Sequence, residues 1–320
     1  MSEAGVVVRV AEIVSETPSV RTLRLVHEDG RPFGPFAAGA HIDVTGPTGV
    51  LRQYSLACDP NDPSSILIAV KREPASRGGS AALHEVQVGD RLKIGKPRNL
   101  LAISDSADRH LLVAGGIGVT PLLAMAYDLY QRGAEFDLVY VVRSREEAAF
   151  LDLLENRVEF ADRVHLVVGV PREAQPDALA EHVRRLTPDS HVYTCGPRGF
   201  MAQATAAVSG VVGEDHVHVE HFVAEEVVTT DDTAFTVELD TGEVFDVPVG
   251  KSILAVLEEN GIEVFKSCTE GICGSCVSGV LDGIPDHRDH CLSAAAKATN
   301  KEVALCVSRS LTDKLVIELY

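Results

Sequence analysis

Four cysteines near the C-terminal end, Cys268, Cys273, Cys276 and Cys306, constrain this 320-residue chain more than any other feature. The first three read C-x4-C-x2-C and the fourth stands alone downstream, a spacing at which thiolates hold a [2Fe–2S] cluster. The loop that carries them, Ser267-Cys268-Thr269-Glu270-Gly271-Ile272-Cys273-Gly274-Ser275-Cys276, is rich in small residues. A cluster needs backbone N–H groups turned toward its sulfurs, and glycine reaches the positive φ values that such turning demands. Zinc is the competing occupant. It favours paired short spacings, and only Cys273–Cys276 offers one, so the pattern favours iron–sulfur without removing zinc.

A chain of this length is long for one hydrophobic core and predicts two or three domains. No apolar run approaches the roughly 20 residues of a membrane span, and the N-terminus lacks the basic and apolar regions of a signal peptide. Seven cysteines fit a reducing compartment better than a disulfide scaffold. The expectation is a soluble cytoplasmic protein with no membrane partner. A net charge of −18 argues against nucleic acid, which selects basic surfaces. The acidic excess lies in 104–225 and 226–320, where it serves either to steer a basic partner or simply to keep the chain soluble.

Residues 1–103 read as strands at 6–14, 20–26 and 66–71, punctuated by Gly and Pro, with a short helix at 81–85; this predicts an antiparallel β-barrel. From about 108 the period changes. A strand at 110–114 meets the loop Gly115-Gly116-Ile117-Gly118-Val119-Thr120-Pro121 and then a helix reaching about 130, with Thr120 expected as N-cap and Pro121 as the first helical residue. Strands at 136–142, 164–168 and 191–195 alternate with helices near 176–186 and from 199. That alternation predicts a parallel α/β sheet over 104–225. The polar stretch 224–232 reads as a linker. Beyond it, in 226–320, strands at 235–239 and 243–248 form a hairpin around Thr241-Gly242. Ser252 caps a helix that ends near Asn260-Gly261.

Several motifs carry chemistry, each with a plainer alternative. The Gly115–Pro121 loop joins a strand to a helix, where glycines let a pyrophosphate approach backbone N–H groups. The third glycine of the dinucleotide fingerprint is absent, and a purely structural tight turn is the other reading. Cys195-Gly196-Pro197 ends a strand on the side where open α/β sheets bind ligands; Cys195 reads otherwise as a small buried residue. Arg52-Gln53-Tyr54-Ser55 offers charge, stacking area and a hydroxyl to an anionic planar cofactor, or is a solvated strand. Arg77-Gly78-Gly79-Ser80 offers an anion nest. In His216-Val217-His218-Val219-Glu220-His221, a strand would put His216, His218 and Glu220 on one face. A surface or domain-edge strand is favoured there over a metal site. His287 and His290, beside Cys291, read as packing around the cysteine loop.

Taken together, these motifs resemble the phthalate dioxygenase reductase family over essentially the whole chain. The matching elements are Arg52–Ser55, the Arg77–Ser80 nest, Gly115–Pro121, Cys195-Gly196-Pro197, Glu220-His221-Phe222 and a C-terminal plant-type ferredoxin domain. Their order, with the ferredoxin last, sets this family apart from relatives that place it first or lack it. Within the family the chain is most similar to the vanillate O-demethylase reductase subgroup, with carnitine monooxygenase reductases also similar. The resemblance implies three parts: an FMN-binding antiparallel β-barrel (1–103), an NAD(P)-binding parallel α/β domain (104–225) and an α+β [2Fe–2S] ferredoxin domain (226–320).

It further implies that Arg52, Tyr54 and Ser55 line the flavin, that Ala69, Val70 and Lys71 flank it, and that Gly78, Gly79 and Ser80 hold its phosphate. Gly116, Thr120, Cys195 and Gly196 meet the nicotinamide nucleotide, with Thr120 and Cys195 orienting groups at the reacting centre, and Phe222 is the aromatic near the flavin. Cys268, Cys273, Cys276 and Cys306 are the cluster ligands. NADH is the implied donor, yet the stretch Val142-Arg143-Ser144-Arg145 lacks an acidic ribose ligand, and its arginines could accept the 2′-phosphate of NADPH. The implied activity is an oxidoreductase that passes electrons from NADH through FMN and the cluster to a terminal oxygenase of the Rieske type. A haem monooxygenase partner, or a non-redox module binding zinc and a nucleotide, are the alternatives.

Overall fold

The computed structural model describes residues 5–74, 78–223 and 232–319. They fall into two compact units, one running to Glu220 and one from His221 onward. Arg77 of the predicted anion nest, and all of the predicted linker except Asp232, lie outside the described residues.

The first unit opens with strands β1 (Val6–Ser15), β2 (Val20–His27), β3 (Ala40–Thr45), β4 (Leu51–Ser55) and β5 (Ile66–Lys71). Helix α1 (Gly79–His84) and strands β6 (Arg91–Ile94) and β7 (Arg98–Asn99) follow. They form one antiparallel sheet in the order β4-β3-β6-β1-β2-β5, with β7 on β3. A bridge between Leu56 and Ile68 joins the two ends of that path and closes the barrel. From Leu23 to His27 of β2, buried and half-buried residues alternate, as expected for a strand with one face on a core. Inside the barrel Val8, Leu23, Ile42, Leu56 and Ile68 are fully buried.

The same unit continues with β8 (His110–Gly115), α2 (Val119–Gln131), β9 (Phe136–Val142), α3 (Leu151–Asn156), β10 (Val164–Val168), α4 (Gln175–Val183), β11 (His191–Cys195), α5 (Arg198–Val208) and β12 (Val217–Glu220). These strands pair in parallel in the order β10-β9-β8-β11-β12. Every residue of β8, β9 and β11 is buried, the pattern of a sheet covered by helices on both faces. One hydrocarbon core runs from the barrel residues Val20, Ala38, Leu67, Ala69 and Leu101 into α2 and the parallel sheet.

Thr120 is not the N-cap of α2. A 3-10 turn over Gly116–Gly118 starts the winding earlier, and the cap position falls to Gly118. Thr120 is already inside the first turn, where its hydroxyl donates to the Ile117 carbonyl at 3.0 Å. His216 likewise lies in a 3-10 turn ahead of β12 rather than in the strand.

The second unit contains β13 (Phe235–Leu239), β14 (Val244–Val247), α6 (Ile253–Glu259), β15 (Val277–Asp282), β16 (Pro285–Asp286), α7 (Ala294–Thr299), β17 (Glu302–Ala304), β18 (Arg309–Ser310) and β19 (Lys314–Glu318). Its main sheet is mixed, in the order β14-β13-β19-β15-β17. The β13–β14 hairpin turns at Thr241-Gly242, with Gly242 at φ +92. Ser252 accepts a hydrogen bond from the Ala255 N–H and caps α6. The apolar face of α6 (Ile253, Val256, Leu257) packs with Val237, Leu315 and Ile317 of the sheet.

Candidate functional site

The segment between α6 and β15 has no regular structure, and its dihedrals show why. Gly271 and Gly274 sit at φ +74 and +70, and Thr269 reaches φ +60, an outlier for a β-branched residue. This backbone turns N–H groups onto sulfur. Glu270 and Cys273 donate to Cys268 Sγ at 3.3 and 3.4 Å, and Cys268 donates to Cys273 Sγ at 3.4 Å. Ser275 Oγ lies 3.2 Å from Cys273 Sγ.

Two sulfur pairs result: Cys268 contacts Cys273, and Cys276 contacts Cys306. Within each pair one thiol is pulled toward the thiolate, Cys273 by its contact with Cys268 and Cys276 by its contact with Cys306. Four sulfurs on one tetrahedral zinc would all lie about 3.8 Å apart, from Zn–S bonds of roughly 2.3 Å. Here no three of these sulfurs lie within 4.8 Å of one another. Two separated pairs fit two irons, one per pair, and do not fit a single zinc ion.

The parallel sheet provides the second centre. Counted along the chain its strands run 3-2-1-4-5, so the order reverses between β8 and β11, where open α/β sheets bind ligands beyond their carboxyl ends. Gly116, Gly118, Cys195 and Gly196 all lie at that reversal. The two loops meet backbone to backbone: a Cβ on Gly118 would lie 2.2 Å from the Cys195 carbonyl oxygen, and one on Gly196 would lie 2.9 Å from Gly115 Cα. Cys195 is fully buried, and burial, reinforced by the neighbouring Glu220 carboxylate, holds its thiol well above the usual range. It is therefore a packed thiol and not a nucleophile. Beyond β9, Arg145 pairs with Glu155 at 2.6 Å, while Arg143 is exposed.

The barrel gathers a third group. Arg52 lies against the start of α1, since a Cβ on Gly79 would come within 3.1 Å of Arg52 Cγ and 3.2 Å of Val50 Cγ1. Gly78 is left-handed at φ +94, and buried Ser80 accepts from the Glu73 N–H at 3.2 Å. Tyr54 is pushed up to about 12 by burial, so its hydroxyl stays neutral. Ser55 is buried, and the chain just beyond it bridges to β5, where Ala69 and Val70 are buried and Lys71 pairs with Glu73 at 2.7 Å. A phosphate-bearing planar ligand fits the charge of Arg52 beside the Cβ-free edge at Gly79. Phe222 is exposed and belongs to the second unit.

Two features escape a reading of motifs. Glu220, the last residue of β12, is paired in register with Cys195. Its Oε2 is buried with no hydrogen-bond partner among the described residues, and burial raises its carboxyl to about 8. At the opposite end of the sheet Asp137 meets His165 (3.0 Å) and His182 (3.7 Å), the one trio with metal-like spacing among the described residues. Arg109 and Arg185 already occupy its carboxylate at 3.0 and 3.2 Å, so the trio is an ion-pair hub that repels a cation. His218 is engaged by His191, Nε2 to Nδ1, at 2.8 Å.

Residues 237–311 match the family description "2Fe-2S iron-sulfur cluster binding domain", and 112–206 match "Oxidoreductase NAD-binding domain". The chain is 42% identical over 302 residues to a vanillate O-demethylase oxidoreductase of Pseudomonas sp. (strain HR199 / DSM 7063), covering 93% of this chain and 95% of that one. Among solved structures it is similar to phthalate dioxygenase reductase, described as a modular structure for electron transfer from pyridine nucleotides to [2Fe–2S]. That match has a TM-score of 0.71 and 34% identity, over 98% of each chain. It is similar as well to an intact type IV self-sufficient cytochrome P450 monooxygenase, with a TM-score of 0.88 and 34% identity. There it covers 98% of this chain and 41% of the other, so this chain spans less than half of that protein.

Proposed function

Since this chain belongs to the phthalate dioxygenase reductase family, we propose that it is the reductase of a multicomponent oxygenase and works in the cytoplasm. In this reading it takes electrons from NADH and delivers them to a terminal oxygenase of the Rieske type, in a system resembling vanillate O-demethylase. Residues 1–103 hold FMN, 104–225 hold the nicotinamide nucleotide and 226–320 hold the cluster. The observation that carries the reading is the split of the four cysteines into two sulfur pairs, on a chain that also carries a nucleotide crevice at a strand-order reversal.

When bound, FMN accepts two electrons from a nicotinamide and releases them singly, and a [2Fe–2S] cluster carries one at a time. The chain supplies position and electrostatics. Arg52 neutralises the flavin phosphate next to Gly79, while Tyr54 and Ser55 present an aromatic face and a hydroxyl. The bare backbone at Gly116 leaves room for the pyrophosphate, while Gly118 and Gly196 let the two loops close on each other, with Cys195 packed between them. Glu220, uncharged at neutral pH, keeps negative charge away from the crevice. Backbone N–H groups of residues 268–273 stabilise the thiolates. The Arg145–Glu155 pair occupies one of the two arginines that a 2′-phosphate would need, which supports NADH over NADPH.

An anaerobic titration with NADH and then NADPH, followed by visible absorbance and low-temperature EPR, tests the reading. Bleaching of flavin with a rhombic signal from reduced [2Fe–2S] is expected, at lower concentrations of NADH than of NADPH. A protein that stays colourless after reconstitution with iron, sulfide and flavin overturns it. The similarity to a P450 monooxygenase favours a second reading in which the electron acceptor is a haem monooxygenase.

A further inference from the structure

The Asp289 side chain, in the second unit, is wholly shielded from solvent. Its surroundings tie it to the cluster loop. Oδ2 accepts from the Leu292 N–H at 2.8 Å, and Cys291 Sγ lies 3.4 Å from it. Oδ1 accepts from Ser308 Oγ at 3.3 Å, and Ser308 in turn accepts from the Arg288 N–H at 3.2 Å. Two cationic or potentially cationic groups face the carboxylate, Lys297 Nζ and His287 Nδ1, both at 3.7 Å. Neither comes within hydrogen-bond distance of the carboxylate, so its charge is held mainly by the Leu292 N–H and the longer Ser308 bond, with Lys297 and His287 just outside.

The cluster loop lies directly against this residue. A Cβ on Gly271 would come within 3.2 Å of Asp289 Cα and 3.5 Å of its Cβ. Gly271 donates its N–H toward the Cys306 sulfur and accepts from the His290 N–H at 2.8 Å. One residue therefore separates a buried carboxylate from a cluster ligand.

We propose that Asp289 is a positioning residue that holds the reduction potential of the [2Fe–2S] cluster down, with Lys297 opposing it. The proposal rests on the cysteine site holding that cluster. Reduction adds one electron, and so one negative charge, to a cluster already bound by four thiolates. A fixed anion in a poorly polarisable interior disfavours the reduced form, and a cation next to that anion offsets the effect. The carboxylate also locks segment 287–292 over the loop, so that the distance through which it acts stays constant.

The test is an EPR-monitored redox titration of the full-length holoprotein and of Asp289→Asn and Lys297→Gln, with iron and acid-labile sulfide measured for each. Asp289→Asn keeps the acceptor for Leu292 but removes the charge. It should raise the reduced-to-oxidised ratio at fixed potential about tenfold, a shift of about 59 mV for one electron. Lys297→Gln should shift the midpoint the opposite way. Opposite signs mark electrostatic tuning, because structural loosening has no reason to reverse sign with the charge removed. A fully loaded Asp289→Asn protein with an unmoved midpoint overturns the proposal. If that variant fails to load, an unmoved or raised midpoint in Lys297→Gln overturns it alone. A wild-type protein without any [2Fe–2S] signal would instead sink the underlying cofactor reading.

Discussion

Gly118 and Cys195 approach so closely that a single methyl group at Gly118 would lie 2.2 Å from the Cys195 carbonyl oxygen and 2.4 Å from its carbon. The two loops that end β8 and β11 are therefore fitted to each other through bare backbone. Gly118→Ala must push them apart. A loss of about 1–3 kcal/mol, the usual range for overpacking, is expected in denaturant unfolding. A rise in the KM for NADH should accompany it, whereas unchanged stability and KM would show that the loops separate freely.

Glu220 predicts a pH dependence of stability. Its folded carboxyl titrates near 8, above the ordinary carboxylate range of the unfolded chain. Between those values the folded state holds a proton that the unfolded chain has released, so stability falls as pH rises toward 8 and then levels off. Tm measured from pH 5 to 9 should decline through this window for the wild type and less for Glu220→Gln. Parallel curves would rule out a buried neutral carboxyl.

The cysteines divide into ligands and a bystander. Cys291 lies beside the pairs, its thiol pushed up by burial and by Asp289. Cys291→Ser should keep full iron and sulfide content. Cys276→Ser should lose most of both and melt at lower temperature, because cluster binding contributes folding free energy. Iron and labile-sulfide analysis of the two variants decides the assignment.

Arg52→Ala removes the charge beside Gly79. A charge-assisted hydrogen bond is worth about 1.5–3 kcal/mol, so flavin should dissociate about ten- to a hundredfold more readily. Fluorescence of released flavin measures this, and wild-type retention would remove Arg52 from the phosphate site.

Glu155→Gln frees Arg145 from its carboxylate partner. The pair is solvent-exposed and screened, so the preference for NADH over NADPH should weaken only about two- to fivefold. An unchanged ratio of kcat/KM values would separate Arg145 from cofactor choice.

What the sequence made legible was local. The cysteine spacing, the glycine loop after β8, the Ser252 cap and the β13–β14 turn each lie within a few consecutive residues, and each forms where expected. The Thr120 cap failed for a local reason too: a 3-10 turn over Gly116–Gly118 competes with the capping signal and starts the winding earlier. The barrel was expected from its strands and turns, but the Leu56–Ile68 pair that closes it was not, because the two meet only after the intervening loop folds back. Glu220 resembled a surface residue in an alternating run of histidines, since nothing nearby reveals that Cys195 stands beside it across the sheet. Asp289 gave no signal, because its importance arises from Gly271, Ser308 and Lys297 converging from separate segments.

The hydrocarbon core that continues from the barrel into α2 has a consequence for how the first unit comes apart. Separating barrel from parallel sheet would wet Val20, Leu67 and Leu101 together with the underside of α2, at a cost of about 1.5–3 kcal/mol for each large side chain. Neither half can then melt independently of the other. The two should behave as a single cooperative foldon, protected together in native-state hydrogen exchange, and a chain severed between residues 103 and 104 would yield two fragments that fold only in each other's company.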